Sequence, residues 1–256
     1  MADEPEASAQ PLRAGIFLVS TPIGNLEDLS GRQRRILEEC DLVACEDTRR
    51  TGRLLAHIGV KKPLLSYHEH NERRRAGELA ARAEAGERIA LVSDAGTPGI
   101  SDPAYRVVQA ALERGVAVIP VPGPSAVVAA LAASGLPTDR FVFEGFLPSK
   151  GARRLRRLEA LLAEERTVVL FESPHRAGRL LAEVAERAPG RPVVLARELT
   201  KLHEEILRGR ADDLAKQLKN KTLKGECVVM IGPGRMEPPP GEEGAAEPGG
   251  SPPNKK

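Results

Sequence analysis

Short apolar runs rich in β-branched residues alternate with longer amphipathic stretches from residue 15 to residue 232. This alternation predicts α/β architecture, with helices packed on largely parallel or mixed sheets. The predicted strands are Ile16–Ser20, Leu42–Cys45, Ile89–Ser93, Val116–Val121, Phe141–Phe143, Val168–Phe171, Val193–Ala196 and Cys227–Ile231. The predicted helices are Leu26–Cys40, Glu72–Ala85, Tyr105–Arg114, Ala126–Ala133, Gly151–Glu165, His175–Ala188 and Ala211–Lys219.

A domain boundary is predicted after Gly135, where a left-handed helix cap is expected and the following Leu-Pro-Thr-Asp cannot continue the helix. An N-terminal α/β domain then covers residues 14–135, and a C-terminal α/β domain covers residues 136–233. Segments 1–13 and 234–256 contain few apolar side chains, and they are expected to be disordered because they cannot offset the entropy cost of ordering.

Composition narrows the class of protein. The chain of 256 residues is long enough for two domains that each bury a core. Its three scattered cysteines favour a reducing compartment, and it shows neither a secretory signal nor a membrane-spanning run, so we expect a cytoplasmic protein. The net charge of +2 does not by itself indicate a nucleic-acid partner. Arginine clumps at 32–35, 73–75 and 153–157 fit either phosphate binding or solvated helix faces.

Three loops that directly follow predicted strands are rich in Gly and Pro: TPIGN (21–25), DAGTPGISDP (94–103) and PGPSA (122–126). Ligands of α/β proteins bind at the carboxyl ends of strands. In the second loop Gly96 and Gly99 permit backbone conformations closed to other residues, and Ser101 or Asp102 is expected to cap the next helix. In the third loop Ser125 is the expected cap. The alternative is that each loop is only a tight strand-to-helix connection.

The familiar phosphate-binding motifs are missing, since the chain has neither G-x-x-x-x-G-K-[ST] nor a G-x-G-x-x-G after a strand. In the second half, FESPHR (171–176) and RELTKLHEE (197–205) place polar residues directly after predicted strands. These residues are expected either to form a site wall or to be ordinary surface ion pairs; they are Glu172, His175, Arg176, Lys201, His203 and Glu204.

Two further segments set acids, Arg or His after apolar runs in the first half: CEDTRRT (45–51) and SYHEHNE (66–72). The pair His68 and His70 lacks the additional ligands of a convincing zinc site, so no metal is predicted.

Five segments of the chain, in their order and spacing, resemble the tetrapyrrole methylase superfamily. They are TPIGNLEDLS, CEDTRRT, SDAGTPGISDP, PGPSAVVAALAASGLPTDRFVFEGFLP and FESPHR. More narrowly, they resemble its branch that methylates the ribose 2′-hydroxyl of a decoding-centre cytidine in 16S ribosomal RNA. The resemblance spans about Gly15 to Pro233. It implies two α/β domains with S-adenosylmethionine in the cleft between them, and a homodimer. The first loop departs from the Gly-Pro-Gly-Asp of the porphyrin and precorrin branch, which argues against a tetrapyrrole substrate.

The resemblance also implies contacts to the cofactor. These are expected from Pro22 in the first loop, from the second and third loops, and from one residue in each polar segment of the second domain. The remaining expected contact residues are Ala95, Gly96, Thr97, Ile100, Ser125, Ala126, Ser173 and Leu199.

Methylation of a ribose hydroxyl requires removal of its proton, and Glu46, Asp47 or neutral Lys201 are the candidate general bases. Arg49, Arg50, Arg176 and the 153–157 cluster, with Arg153 and Arg154, are the candidates for holding RNA phosphates. The residues leave two other functions open: a small-molecule methylase acting on a tetrapyrrole, and a non-catalytic nucleotide-binding module.

Overall fold

The computed structural model describes residues 11–219 and 221–234. Apart from residues 11–13 and 234, the segments expected to be disordered, 1–13 and 234–256, lie outside these ranges. No helix within the described ranges is both long and apolar enough to cross a membrane. The three cysteines are buried and unpaired.

The first sheet is fully parallel, with strand order β3-β2-β4-β1-β5. Its strands are β1 (Gly15–Val19), β2 (Leu42–Cys45), β3 (Leu64–Ser66), β4 (Arg88–Val92) and β5 (Val118–Val121), and its helices are α1 (Gly31–Glu39), α2 (Thr48–His57), α3 (Glu72–Glu84) and α4 (Tyr105–Glu113). Separate apolar clusters cover its two faces. Since all five strands run the same way, the loops after β1, β2, β4 and β5 emerge at one edge.

The second sheet is mixed, with strand order β6-β7-β10-β8-β9, and only β6 and β7 pair in parallel. Its strands are β6 (Phe141–Phe146), β7 (Thr167–Glu172), β8 (Pro192–Arg197), β9 (Glu205–Arg210) and β10 (Cys227–Ile231). The helices of this half are α6 (Gly151–Leu162), α7 (Pro174–Arg187) and α8 (Ala211–Leu218). The cluster around Leu170, Leu180 and Val229 forms its main core.

Helix α5 (Ala126–Ser134) joins the two halves. It follows β5 of the first sheet, but it packs on β8 and β10 of the second. Val127, Ala130 and Leu131 lie in one buried cluster with Val194 and Met230. The domain boundary after Gly135 stays a prediction, while the expected left-handed cap at Gly135 is confirmed by its φ of 77°.

The structure corrects the expected helix at Leu26–Cys40. Leu26–Asp28 is a short 3-10 turn, and α1 begins only after Ser30, because the Ser30 side chain and Gln33 form a reciprocal capping box. Helix α2 and the strands β3 and β9 were not among the predicted elements. Both strands lie at sheet edges, where a strand is paired on one side only.

Candidate active site

The first two Gly- and Pro-rich loops are tied to each other by their backbones. Thr21 N donates to Gly96 O over 2.9 Å, and Gly96 N donates to Thr21 O over 3.0 Å. The Ser20 and Thr97 hydroxyls are 3.1 Å apart, and the Thr21 hydroxyl donates to Ser93 O. Gly96 adopts a φ of 82°, in the left-handed region that glycine alone occupies freely. These contacts fix the ends of β1 and β4 as one rigid ledge.

The third loop is held against the same ledge through Gly123. The Gln33 side-chain amide, placed by its capping box, donates to Ser20 O over 2.6 Å. A Cβ at Gly123 would lie 2.0 Å from Gln33 Nε2 and 2.9 Å from Ser20 Cβ, so only glycine lets the loop approach. Ser125 caps α5 by accepting a hydrogen bond from Val128 N, as expected from the sequence.

A cleft of about 380 Å³ lies between this ledge and the second sheet. Its second wall comes from the end of β7, the segments after β7 and β8, and the start of β10. The wall includes Phe171, Ser173, Leu199 and Val228. The segment after β8 reaches over to the first loop, since a Cβ at Gly24 would lie 2.9 Å from the Thr200 hydroxyl. Both halves of the chain therefore build one cleft.

The structure gathers most of the residues expected to contact the cofactor. Eight of them line the cleft: Ala95, Gly96, Thr97, Ile100, Ser125, Ala126, Ser173 and Leu199. Pro22 does not line it; the neighbouring Ile23 does. Their role in binding a cofactor stays a prediction.

Asp102, which also lines the cleft, is the site residue that the sequence analysis missed. The expectation that Ser101 or Asp102 caps α4 is wrong, because α4 begins at Tyr105 with Ala104 as its cap residue. Burial, and then the nearby Glu46 carboxyl, raise the pKa of Asp102 to about 7. The sequence signal for Asp102 is an acid in the same loop as the two glycines, a pattern that by itself predicts only a helix cap.

Glu46 shares this acidic cluster. Burial raises the pKa of Glu46, while a hydrogen bond from Asp94 N opposes the rise. The Asp94 side chain accepts from Asp47 N over 3.1 Å and lies 3.5 Å from Arg50 Nη1. Asp94 is therefore compensated by Arg50, whereas Glu46 and Asp102 share a site in which both cannot readily be ionised.

The other two candidate bases are poorly suited to accept a proton. Hydrogen bonds from Arg49 lower the pKa of Asp47 to about 2, and Asp47 caps α2. Burial by itself would lower the pKa of Lys201, but its bonds to Glu198 and Glu226, each 2.9 Å, give a net rise. These pKa shifts favour the pair of Glu46 and Asp102 over Asp47 and Lys201, and the catalytic roles stay predictions.

Arg154 requires a correction, because its side chain is 0% exposed and cannot reach RNA. Its Nη1 donates to Glu172 Oε2 over 3.0 Å, and its Nε donates to Glu183 Oε2 over 2.9 Å. Glu172 also accepts from Arg176 and from Ser173 N. Arg154 and Arg176 thus hold the carboxylate that fixes the start of α7 at the cleft wall.

The other arginines expected to bind RNA are accessible to different degrees. Arg49 is 86% exposed and pairs with Asp47, and Arg50 is half-exposed and lines the cleft. Arg153 is exposed on α6. Of the remaining polar residues, His175 and Glu204 are exposed near the ends of the segments after β7 and β8, where Glu204 accepts from Thr200 N.

Among the described residues, no group of three or more His, Cys, Asp or Glu side chains is arranged to hold a metal ion. His68 instead lies 3.2 Å from the side-chain amide of Asn71.

Comparison with solved structures shows which class of protein has this architecture. A cobalt precorrin-4 methyltransferase of cobalamin biosynthesis superposes with a TM-score of 0.63, at 19% identity, over 85% of this chain and 94% of that one. A diphthine synthase superposes with a TM-score of 0.65, at 17% identity, over 85% and 89% of the two chains. The chain therefore has the two-domain α/β fold of these enzymes.

The family model for tetrapyrrole (corrin/porphyrin) methylases matches residues 15–215, so the chain belongs to that family. Among curated relatives, "Ribosomal RNA small subunit methyltransferase I" of Synechocystis sp. is 49% identical over 222 residues, 85% of this chain and 78% of the relative. The protein of the same name from Thermotoga maritima is 45% identical, over 84% of this chain and 97% of the relative.

Replacing Arg154 with alanine should lower the free energy of unfolding by about 3–5 kcal/mol, because the buried carboxylates of Glu172 and Glu183 would both lose a paired guanidinium. Urea denaturation measures this. The matched control is Arg166→Ala, since Arg166 forms an exposed pair with Glu164 that contributes only about 0–1 kcal/mol. Equal losses in the two variants would contradict a stabilising role for the buried network.

Proposed function

We propose that this protein is an S-adenosylmethionine-dependent methyltransferase that methylates the ribose 2′-hydroxyl of a cytidine in the decoding centre of 16S ribosomal RNA. One observation carries the proposal: both halves of the chain line a single cleft. The relatives of this chain are named as methyltransferases of small-subunit ribosomal RNA. We also place the protein in the cytoplasm, where that RNA is found.

The residues of the cleft fit such a methyl donor. A volume of about 380 Å³ is in the usual range for a small-molecule site. Apolar walls from Ile23, Val127 and Val228 suit a nucleoside, and backbone groups of the glycine loops can bind its polar edges. Of the four carboxyl groups among the lining residues, those of Asp94, Glu172 and Glu226 already pair with basic side chains. The Asp102 carboxyl is the one left to attract a ligand carrying a sulfonium and an ammonium group. When bound, the donor supplies an electrophilic methyl group.

Asp102 is the proposed proton acceptor for the ribose hydroxyl. It lines the cleft, and its carboxyl titrates near neutral pH, where a general base is most effective. With the donor bound, the proton would leave the 2′-oxygen for the Asp102 carboxylate as the oxygen bonds to the methyl carbon. The bond between that carbon and the donor sulfur would break at the same time, with S-adenosylhomocysteine as the leaving group. Glu46, beside Asp102, raises the basicity of that carboxylate by like-charge repulsion.

The remaining loop residues contribute by holding the reacting groups in a fixed orientation. The backbone bonds between Thr21 and Gly96 and the close contact at Gly123 leave the ledge little freedom. A fixed ledge lowers the barrier because the reacting groups need not be aligned during the reaction. Arg49 and Arg50, at the rim beside this acidic cluster, are the proposed phosphate contacts on the N-terminal side.

We further propose that the protein acts as a homodimer. Tyr105 and Leu112 are 69% and 63% exposed and lie seven residues apart, hence on the same face of α4. Such an apolar stripe is suited to burial against a second copy. Sedimentation velocity should give one species of twice the chain mass, and a Tyr105→Glu variant should shift it toward the monomer; a monomeric wild type would refute the dimer.

The proposed reaction is tested by incubating the protein with tritiated S-adenosylmethionine and small ribosomal subunits from cells lacking the enzyme. We expect label in 16S RNA at a single cytidine, mapped by mass spectrometry of digested RNA. A parallel reaction with uroporphyrinogen tests the tetrapyrrole alternative. Label in the pigment alone would overturn the proposed substrate, and donor binding without label in either would indicate a non-catalytic module.

The Asp102→Asn variant should lose about 100-fold or more in single-turnover methyl transfer, because an amide cannot accept the proton. The wild-type rate should rise with pH through about 7 and then level off, as Asp102 ionises. This pH dependence should vanish in the variant. An unchanged rate and profile would exclude Asp102 as the base.

A stability measurement separates this effect from misfolding. Because the pKa of Asp102 is raised on folding, the wild type loses stability as pH rises from about 4 to about 7. The neutral Asn avoids that loss, so the melting temperature of Asp102→Asn at pH 8 should equal or exceed that of the wild type. Asp139→Asn, at a 74% exposed side chain, serves as the control for both measurements.

A further inference from the structure

A second cavity, of about 440 Å³, adjoins the cleft on the side of the second sheet. Its lining includes Arg153, Arg156, Arg157 and Phe146. Phe146 is shared, since it also lines the cleft. The two cavities therefore share one aromatic residue, and nothing in the proposed chemistry of the cleft itself uses the second cavity.

Of the three arginines that line this second cavity, one is paired with an acid and two are not. Arg157 is bound to Glu144, which compensates its charge. Arg153 and Arg156 are exposed, and within the described part of the chain neither makes an ion pair or a hydrogen bond. They lie three residues apart on α6, hence on the same face of the helix. Two unpaired guanidinium groups beside each other favour an anionic ligand, and phosphates in particular.

Phe146 is held outward by an irregularity in β6. The register between β6 and β7 shifts between Phe143 and Gly145, and Gly145 adopts a φ of 75°. This bulge re-aims the chain, so Phe146 is 57% exposed although it contacts Phe171, whose ring centroid lies 5.6 Å away. A large exposed ring that is supported from behind is suited to stacking with a planar group.

The same bulge places Phe146 next to the acidic loop of the first half. A Cβ at Gly145 would lie 3.2 Å from the Ser101 hydroxyl, so the backbone of β6 contacts the loop that carries Asp102. Ser101 itself has a positive φ of 64°, an uncommon conformation for serine. Phe146 thus lies in the lining of both cavities, with the candidate base in one and the unpaired arginines in the other.

We propose that Phe146, Arg153 and Arg156 form a binding track for single-stranded RNA, in which Phe146 stacks on a base at the entrance of the cleft and the two arginines bind the flanking phosphates. This inference rests on the proposed function, since it names how the same substrate is held. Unstacked bases of RNA bind commonly on aromatic rings, and backbone contacts from arginine set the position of the strand.

The test measures binding of fluorescently labelled small ribosomal subunits from cells lacking the enzyme, together with single-turnover methyl transfer to them. Phe146→Ala should weaken binding about 10-fold, whereas Phe146→Tyr should bind normally because it keeps a stacking ring. The matched control is Phe141→Ala, at the other end of β6, which lines neither cavity and is 40% exposed.

The double variant Arg153→Ala with Arg156→Ala should weaken binding and reduce the slope of log affinity against log salt by about 1.4, the value for two phosphate contacts to a single strand. Arg140→Ala with Arg166→Ala is the control, since both are exposed and outside the cavity. Calorimetric binding of S-adenosylmethionine should be unchanged in the arginine variants.

The outcomes separate the two proposals. A wild type that neither binds nor methylates the subunits would overturn the proposed function. A wild type that does both, with the track variants matching their controls in affinity and salt slope, would overturn the track alone.

Discussion

The packing of α5 on the second sheet is the interaction on which the site depends. The helix leaves the first sheet at Ser125 and buries Val127, Ala130 and Leu131 against β8 and β10. Val127 and Leu131 each contribute about 1.5–3 kcal/mol when fully buried. Because the loop before α5 is locked to the other two loops through Gly123 and Gln33, the same apolar contact sets the distance between the ledge and the opposite wall.

The cleft contains carboxyl groups in two contrasting environments. Glu172 is buried but surrounded by Arg154, Arg176 and a backbone amide, so it is a structural carboxylate. Asp102 is less buried, but the charged group that raises its pKa most is another acid, Glu46. A folded chain tolerates the second arrangement at a cost in stability, and such costs concentrate at functional sites. This contrast distinguishes Glu172, which supports the wall of the site, from Asp102, the proposed reactive group.

The sequence was sufficient to predict those features that depend on local chemistry. The Gly- and Pro-rich loops, the cap at Ser125 and the left-handed Gly135 follow from the conformations that these residue types adopt. The edge strand β3 was missed because it has only three residues. The edge strand β9 was missed because its sequence, EILRGR, is half-exposed and has little hydrophobic signal. Arg154 shows a different limit: its neighbours in the sequence are exposed arginines, and its burial depends on Glu172 and Glu183, which are distant along the chain.

Asp102 was missed for a related reason. Its pKa depends on Glu46, 56 positions earlier, and the two meet only because β4 is inserted beside β2 in the parallel sheet. The bulge at Gly145 then brings the second sheet against the loop of Asp102. A glycine in that strand is thus needed at the point where the two halves come closest, since any side chain there would press on Ser101. The same contact that completes the cleft therefore also determines where Phe146 and the neighbouring arginines lie relative to the acid.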